Sequence, residues 1–162
     1  MLPVPCPRFL FLMVLLLPAL GAAQAAGTKA GNKNEIERGR YLVKIAGCND
    51  CHTPGYIQKN GEVEEKLWLT GDKLGWSGPW GTTYATNLRQ FIASMNQEQW
   101  VKHARTMTPR PPMPWFNVRA MTDADLRAIY SFTRSLGPGG EPAPAYVPPG
   151  TKPAGPVVQF PG

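Results

Sequence analysis

The segment AGCNDCHTPG places two thiols three positions apart, with an imidazole directly after the second, at Cys48, Cys51 and His52. Each chemistry that uses C-x-x-C-H demands a particular fold around it, so this motif constrains the chain more than any other feature. A zinc site needs four ligands, and the other imidazole available is that of His103. His52 follows Cys51 directly and could hardly share one tetrahedral ion with both thiolates. A dithiol oxidoreductase would carry the pair at the end of a strand entering a βαβ unit, whereas here a helical pattern precedes it and glycine-rich, irregular sequence follows. A c-type haem uses all three residues at once: the thiols of Cys48 and Cys51 add across the two vinyl groups, and His52 ligates the iron.

The remaining cysteine agrees with that assignment. Cys6 lies ahead of the apolar run FLFLMVLLLPAL, which follows Arg8 and leads into small residues that include Ala23-Gln24-Ala25. These are the parts of a cleaved secretory leader, residues 1–25. Phe9 to Leu20 is only a dozen residues, interrupted by Pro18, against the roughly 20 that a bilayer span needs. Cleavage after Ala25 predicts a soluble exported protein with no integral span, in which two adjacent free thiols would oxidise unless a cofactor uses them. Of 17 basic side chains, loss of Arg8 leaves 16 against 11 acidic ones, a net charge of +5. That balance suits acidic protein partners, and the lack of a basic tract or nucleic-acid motif excludes nucleic acid.

After a flexible segment, residues 26–34, EIERGRYLVKIAG spaces Ile36, Gly39, Tyr41, Leu42 and Ile45 as one face of a helix, with Asn34 as its cap and Gly47 as its stop. Gly39 inside a helix costs about 1 kcal/mol against alanine, which a close helix crossing would justify. From Thr53 to Thr86 the sequence is glycine-punctuated, with EVEEKLWLT as a candidate strand and Trp68, Trp76 and Trp80 serving either as core or as packing for a flat porphyrin. NQEQWVKHARTM reads as a helix capped by Asn96, and TDADLRAIYSFTRSL as a helix opened by a Thr122/Asp125 capping box, with Leu126, Ile129, Tyr130, Thr133 and Leu136 on its apolar face. Between them TPRPPMPW is too proline-rich for helix and forms a stiff, extended loop. Residues 137–162 hold eight prolines and six glycines, a tail that cannot pack a core of its own and is either disordered or laid along the domain surface through Tyr146, Val147, Val157, Val158 and Phe160.

A second axial ligand would come from Met95, Met107, Met113, Met121 or His103. Met113 is the best placed, because the prolines around it limit the chain entropy lost on ligation. Met107 and Met121 flank helices as core residues would, and His103, beside Lys102 and Arg105, reads as solvent-facing.

The order helix, C-x-x-C-H, aromatic and glycine-rich loops, Met-Pro loop and C-terminal helix resembles a monohaem cytochrome c domain of class I type over residues 35–136. More narrowly, GRYLVKIAGCNDCHTPG, YATNL, PPMPWFNVRAMTDADLRAIYSFTRSLGP and APAYVPPG resemble bacterial periplasmic cytochromes c related to the haem domains of alcohol and gluconate dehydrogenase cytochrome subunits. The resemblance implies a mainly α fold of about four to five helices around one haem c, with a periplasmic location. It implies Cys48 and Cys51 as thioether anchors, His52 as proximal ligand and Met113 as distal ligand, with Gly39 and Tyr41 crossing the last helix near Tyr130. It also puts Tyr84 and Asn87 near the haem. Leu88-Arg89 stands where relatives usually have Thr-Pro, and Arg89, by its charge, is expected to pair with a haem propionate.

These readings predict a one-electron carrier, without bond chemistry of its own, between a periplasmic dehydrogenase and a terminal oxidase or other acceptor. The alternatives are a haem subunit docked to a dehydrogenase by its tail and an open-site haem enzyme or gas sensor.

Overall fold

A computed structural model describes residues 32–161, so the expected leader with Cys6 and its cleavage point after Ala25 lies outside the described residues. Of the segment expected to be flexible, Lys33 and Asn34 already belong to the first helix, α1 (Lys33–Ile45). Its cap is Asn32 rather than Asn34: the Asn32 side chain accepts the Glu35 N–H at 2.9 Å. α1 buries Gly39, Leu42 and Val43. Tyr41 and Ile45, expected on the same face, are 52% and 59% exposed, because that stripe is centred one position round the helix.

Among the described residues the mainly α architecture is built from six helices, more than the four to five expected. Besides α1 they are α2 (Cys48–His52), α3 (Leu88–Ala93), α4 (Gln97–Thr106), α5 (Trp115–Ala120) and α6 (Asp123–Ser135). α2, α3 and α5 span only five or six residues, too few to display a helical period in sequence. α6 starts where Thr122 predicts, its side chain accepting the Asp125 N–H at 3.1 Å. α4 starts at Asn96 with both bonds of a capping box to Gln99.

α1 and α6 cross at Gly39. A Cβ at that position would overlap the Ala128 carbonyl and lie 2.7 Å from Phe132 Cβ, so only glycine lets the two backbones meet. The crossing thus falls at Ala128 and Phe132, two residues to either side of Tyr130, whose hydroxyl donates to Met95 O at 3.0 Å. Arg38 with Asp125 at 2.9 Å and Ser131 with Glu35 at 2.9 Å flank the contact. α4 is tied to the same helix by Trp100 Nε1 donating to Leu126 O at 2.8 Å. Leu42, Val43, Trp68, Leu69, Ile92, Leu126 and Phe132 form the buried centre.

The candidate strand EVEEKLWLT is instead a 3-10 turn at Glu65–Leu67, its charged residues leaving no apolar face for a sheet. The strands are β1 (Gly75–Gly78) and β2 (Gly81–Tyr84), an antiparallel hairpin, and β3 (Val157–Gln159) from the tail, parallel to β1 in the order β2-β1-β3. The tail therefore lies along the domain, its Phe160 packing on Trp76 and Trp80 with centroids 6.0 and 5.4 Å away. Among the described residues no helix is long and apolar enough to cross a membrane.

Gly39→Ala gains about 1 kcal/mol of helix propensity but forces the crossing apart, so a net loss of about 2 kcal/mol is expected in urea unfolding of the folded protein. A variant as stable as the parent would show that the close crossing does not bear load.

Candidate functional site

Gly47, left-handed at φ 70, ends α1 and turns the chain directly into α2. One turn of helix then sets Cys48 and Cys51 at i and i+3 on a common side, with His52 next to them. The turn is pinned from behind. Asn49, fully buried, accepts the Thr53 hydroxyl at 2.7 Å, and Thr53 Oγ1 in turn accepts the Leu69 N–H at 2.8 Å.

Burial pushes the Cys48 thiol up to about 11, and the Cys51 thiol is raised as well, by burial first and then by the Asp50 and Asp72 carboxylates. A nucleophilic dithiol needs the opposite shift, towards thiolate at neutral pH. These are protonated, sheltered thiols, poor in exchange chemistry and suited to a covalent cofactor.

His52 is 8% exposed, and its Nδ1 lies 2.7 Å from Thr86 O. A carbonyl oxygen can only accept, so Nδ1 carries the proton and Nε2 keeps its lone pair. Burial lowers the His52 pKa, opposed by the Thr86 bond, and the ring is neutral, the form that binds iron. Thr86 is the functional group that the sequence reading missed. Its contribution is a backbone carbonyl, which no side-chain pattern reports.

Cys48, Cys51 and His52 line a cavity of about 500 Å³, within the usual range for cofactor sites. Met113 and Tyr84 line it too, as do Met107, Met121 and His103, whereas Met95 does not. His103 is not solvent-facing as expected: it lies three residues after Trp100 on α4 and turns inward with it, its ring 5.1 Å from Phe91 and 6.4 Å from Trp100. The neighbouring Lys102 takes the exposed side. The Met113 loop is tied to β2 by the Thr83 hydroxyl, which donates to Pro111 O at 2.7 Å.

The three tryptophans of the glycine-rich stretch divide between the two roles. Trp68 is core, edge-on to Tyr56 and Phe132; Trp80 supports the tail; Trp76 lines the cavity. The indole N–H of Trp76 is buried with no partner among the described residues. A buried orphan donor costs about 1–3 kcal/mol, a cost removed when a bound group brings an acceptor such as a carboxylate. Sheltered paired thiols, a fixed neutral imidazole, apolar walls and one orphan donor fit haem c.

Asn87 and Arg89 are not among the lining residues. Asn87 caps α3 by accepting the Gln90 N–H at 3.1 Å and donates to Gly139 O and Glu141 O at 2.8 and 3.1 Å. The expected pairing of Arg89 with a propionate is corrected: its guanidinium is spent on the carbonyls of Gly137 at 2.7 Å, Lys66 at 2.8 Å, Pro138 at 2.9 Å and Leu136. Three of these are the free acceptors at and just past the end of α6, where a cation is favoured by the helix dipole.

The Cytochrome c family profile matches residues 36–137. The chain is 29% identical over 129 residues to the alcohol dehydrogenase (quinone), cytochrome c subunit of Gluconobacter oxydans (strain 621H), a match covering 73% of this chain and 24% of that protein. It is 30% identical over 115 residues to the fructose dehydrogenase cytochrome subunit of Gluconobacter japonicus, covering 65% of this chain and 23% of that protein. The chain thus spans about a quarter of the length of these curated relatives. No solved structure matches it.

Arg89→Met strips the end of α6 of its shared donor while leaving the cavity lining intact. Stability is expected to fall by about 2–3 kcal/mol with the visible spectrum of the loaded protein unchanged. An altered spectrum at unaltered stability would return Arg89 to the cofactor.

Proposed function

The chain belongs to the cytochrome c family, carrying haem c, and from that membership we propose a periplasmic one-electron carrier whose iron is held by His52 and Met113. The observation that carries the reading is that Cys48, Cys51, His52 and Met113 line one cavity while Thr86 orients the His52 ring. Haem c supplies a reversible one-electron couple when bound. Everything else is the work of the chain. Cys48 and Cys51 fix the group in place, and the short α2 holds them and His52 in register. The Thr86 carbonyl accepts a hydrogen bond from Nδ1–H and so leaves the Nε2 lone pair free for a metal. Met113 offers a thioether from a loop already stiffened by prolines, and the aromatic and aliphatic walls exclude water. With His52 and Met113 both holding the iron, no place would be left for a substrate, so the domain would pass electrons without making or breaking bonds.

The two relatives are by name cytochrome subunits of dehydrogenases. A dehydrogenase is therefore proposed as the electron donor, with a terminal oxidase or another oxidant as acceptor. The expected leader would deliver the protein to the periplasm. The positive balance of the chain would draw it to acidic surfaces in weak, salt-sensitive encounters.

A second reading follows from the cavity itself, because His103, Met107 and Met121 also line it and any of them could be the distal ligand. An optical spectrum of the mature holoprotein separates the cases. The weak near-red sulfur-to-iron band should be present in the oxidised parent, lost in Met113→Ala and kept in Met107→Ala and Met121→Ala. A parent that lacks the band and takes up carbon monoxide when reduced would instead point to an open-site haem protein. Separately, electron exchange with a negatively charged redox protein should slow as salt is raised from 10 mM to physiological strength, where the screening length shrinks from about 30 Å to about 8 Å. A flat dependence would remove the steering.

A further inference from the structure

At Tyr146 the tail is bound to the β1–β2 hairpin by more than surface contact. The Tyr146 hydroxyl donates to Trp80 O at 2.7 Å, and Val147 exchanges two backbone hydrogen bonds with Thr82, at 3.0 and 2.8 Å. Gly81 makes the approach feasible. It sits at φ 95, and a Cβ there would overlap the Val147 carbonyl and come within 2.9 Å of the Tyr146 hydroxyl oxygen. Fixed in this way, Tyr146 lines the cavity, and the Arg110 guanidinium carbon lies 3.8 Å from its ring centroid. Arg110 is exposed and, among the lining residues, is the sole formal charge.

Arg110 also belongs to the loop that carries Met113, three residues upstream. That loop is therefore held to β2 twice. Thr83 reaches Pro111 O directly, and Thr82 acts through Val147, Tyr146 and Arg110. The first tie bonds the backbone two residues before Met113, and the second contacts the start of the loop at Arg110.

We propose that Tyr146 is a positioning residue for Met113, its ring clamping Arg110 so that the Met113 loop stays seated at the cavity. The C-terminal tail is then part of the cofactor site rather than an appendage. This inference rests on the reading of Met113 as distal ligand. A small ligand that competes for the distal position binds only when the loop has moved away, so its apparent affinity is the intrinsic one multiplied by the fraction of protein with the loop open. Loss of a cation–π contact raises that fraction by about fivefold.

The test is a titration of the oxidised holoprotein with imidazole, following loss of the sulfur-to-iron band. Imidazole affinity should rise about three- to tenfold in Tyr146→Ala and by a similar factor in Arg110→Gln. In Tyr146→Phe, which loses the bond to Trp80 O but keeps the ring and the two Val147–Thr82 bonds beside it, it should stay within about twofold of the parent. The double variant Tyr146→Ala/Arg110→Gln should bind no more tightly than either single one, since both remove the same contact. If Tyr146→Ala does not fold, Arg110→Gln carries the test from an exposed position. Affinities unmoved in the single variants, or a phenylalanine variant as perturbed as the alanine one, overturn the clamp while leaving Met113 ligation standing. Absence of the band in the parent overturns both.

Discussion

Gly39 has no side chain, and the backbone of α1 can therefore rest on α6 at Ala128 and Phe132. The rest of the molecule is arranged around that contact. The direction of α1 fixes where its C-terminus emerges, and Gly47 converts that end at once into the helical turn bearing Cys48, Cys51 and His52. From the far end of α6, the carbonyls of Leu136, Gly137 and Pro138 converge on Arg89, which stands at the start of α3 just after the Thr86 carbonyl that holds His52. One helix crossing thus positions both the Cys48 and Cys51 thiols and, through a buried guanidinium, the strip of backbone that orients the His52 imidazole.

Local signals were the legible ones. C-x-x-C-H identified the cofactor, because its chemistry is carried by three neighbouring side chains. Asn96 and Thr122 marked helix starts, because a cap acts within three residues. What escaped was nonlocal. Thr86 contributes a backbone oxygen to a residue 34 positions away. Arg89 looked like a counter-ion on charge alone, although five N–H donors in a fixed fork can equally gather carbonyls at a helix end. Residues 157–159 became a strand because β1 offered an open edge. His103 was misplaced by its charged neighbours, since position on a helix face outweighs the company a residue keeps in sequence.

The cavity also bears on the direction in which electrons are held. The oxidised iron centre carries one more positive charge than the reduced one, and apolar surroundings penalise the more highly charged state. Walls of Trp76, Phe91, Ile92, Trp100, Val118 and Ile129 shelter the site. Arg110, the one formal charge among the lining residues, adds a repulsion of the same sign. The proposed thioether ligation by Met113 would act in the same sense, because a soft sulfur donor favours the ferrous form. The hydrogen bond from His52 Nδ1 to the Thr86 carbonyl would work the other way under the proposed ligation, making the imidazole a stronger donor and favouring the ferric state. Under the proposed ligation the apolar walls, Arg110 and the thioether would favour the ferrous state, and the Thr86 bond to His52 would oppose them.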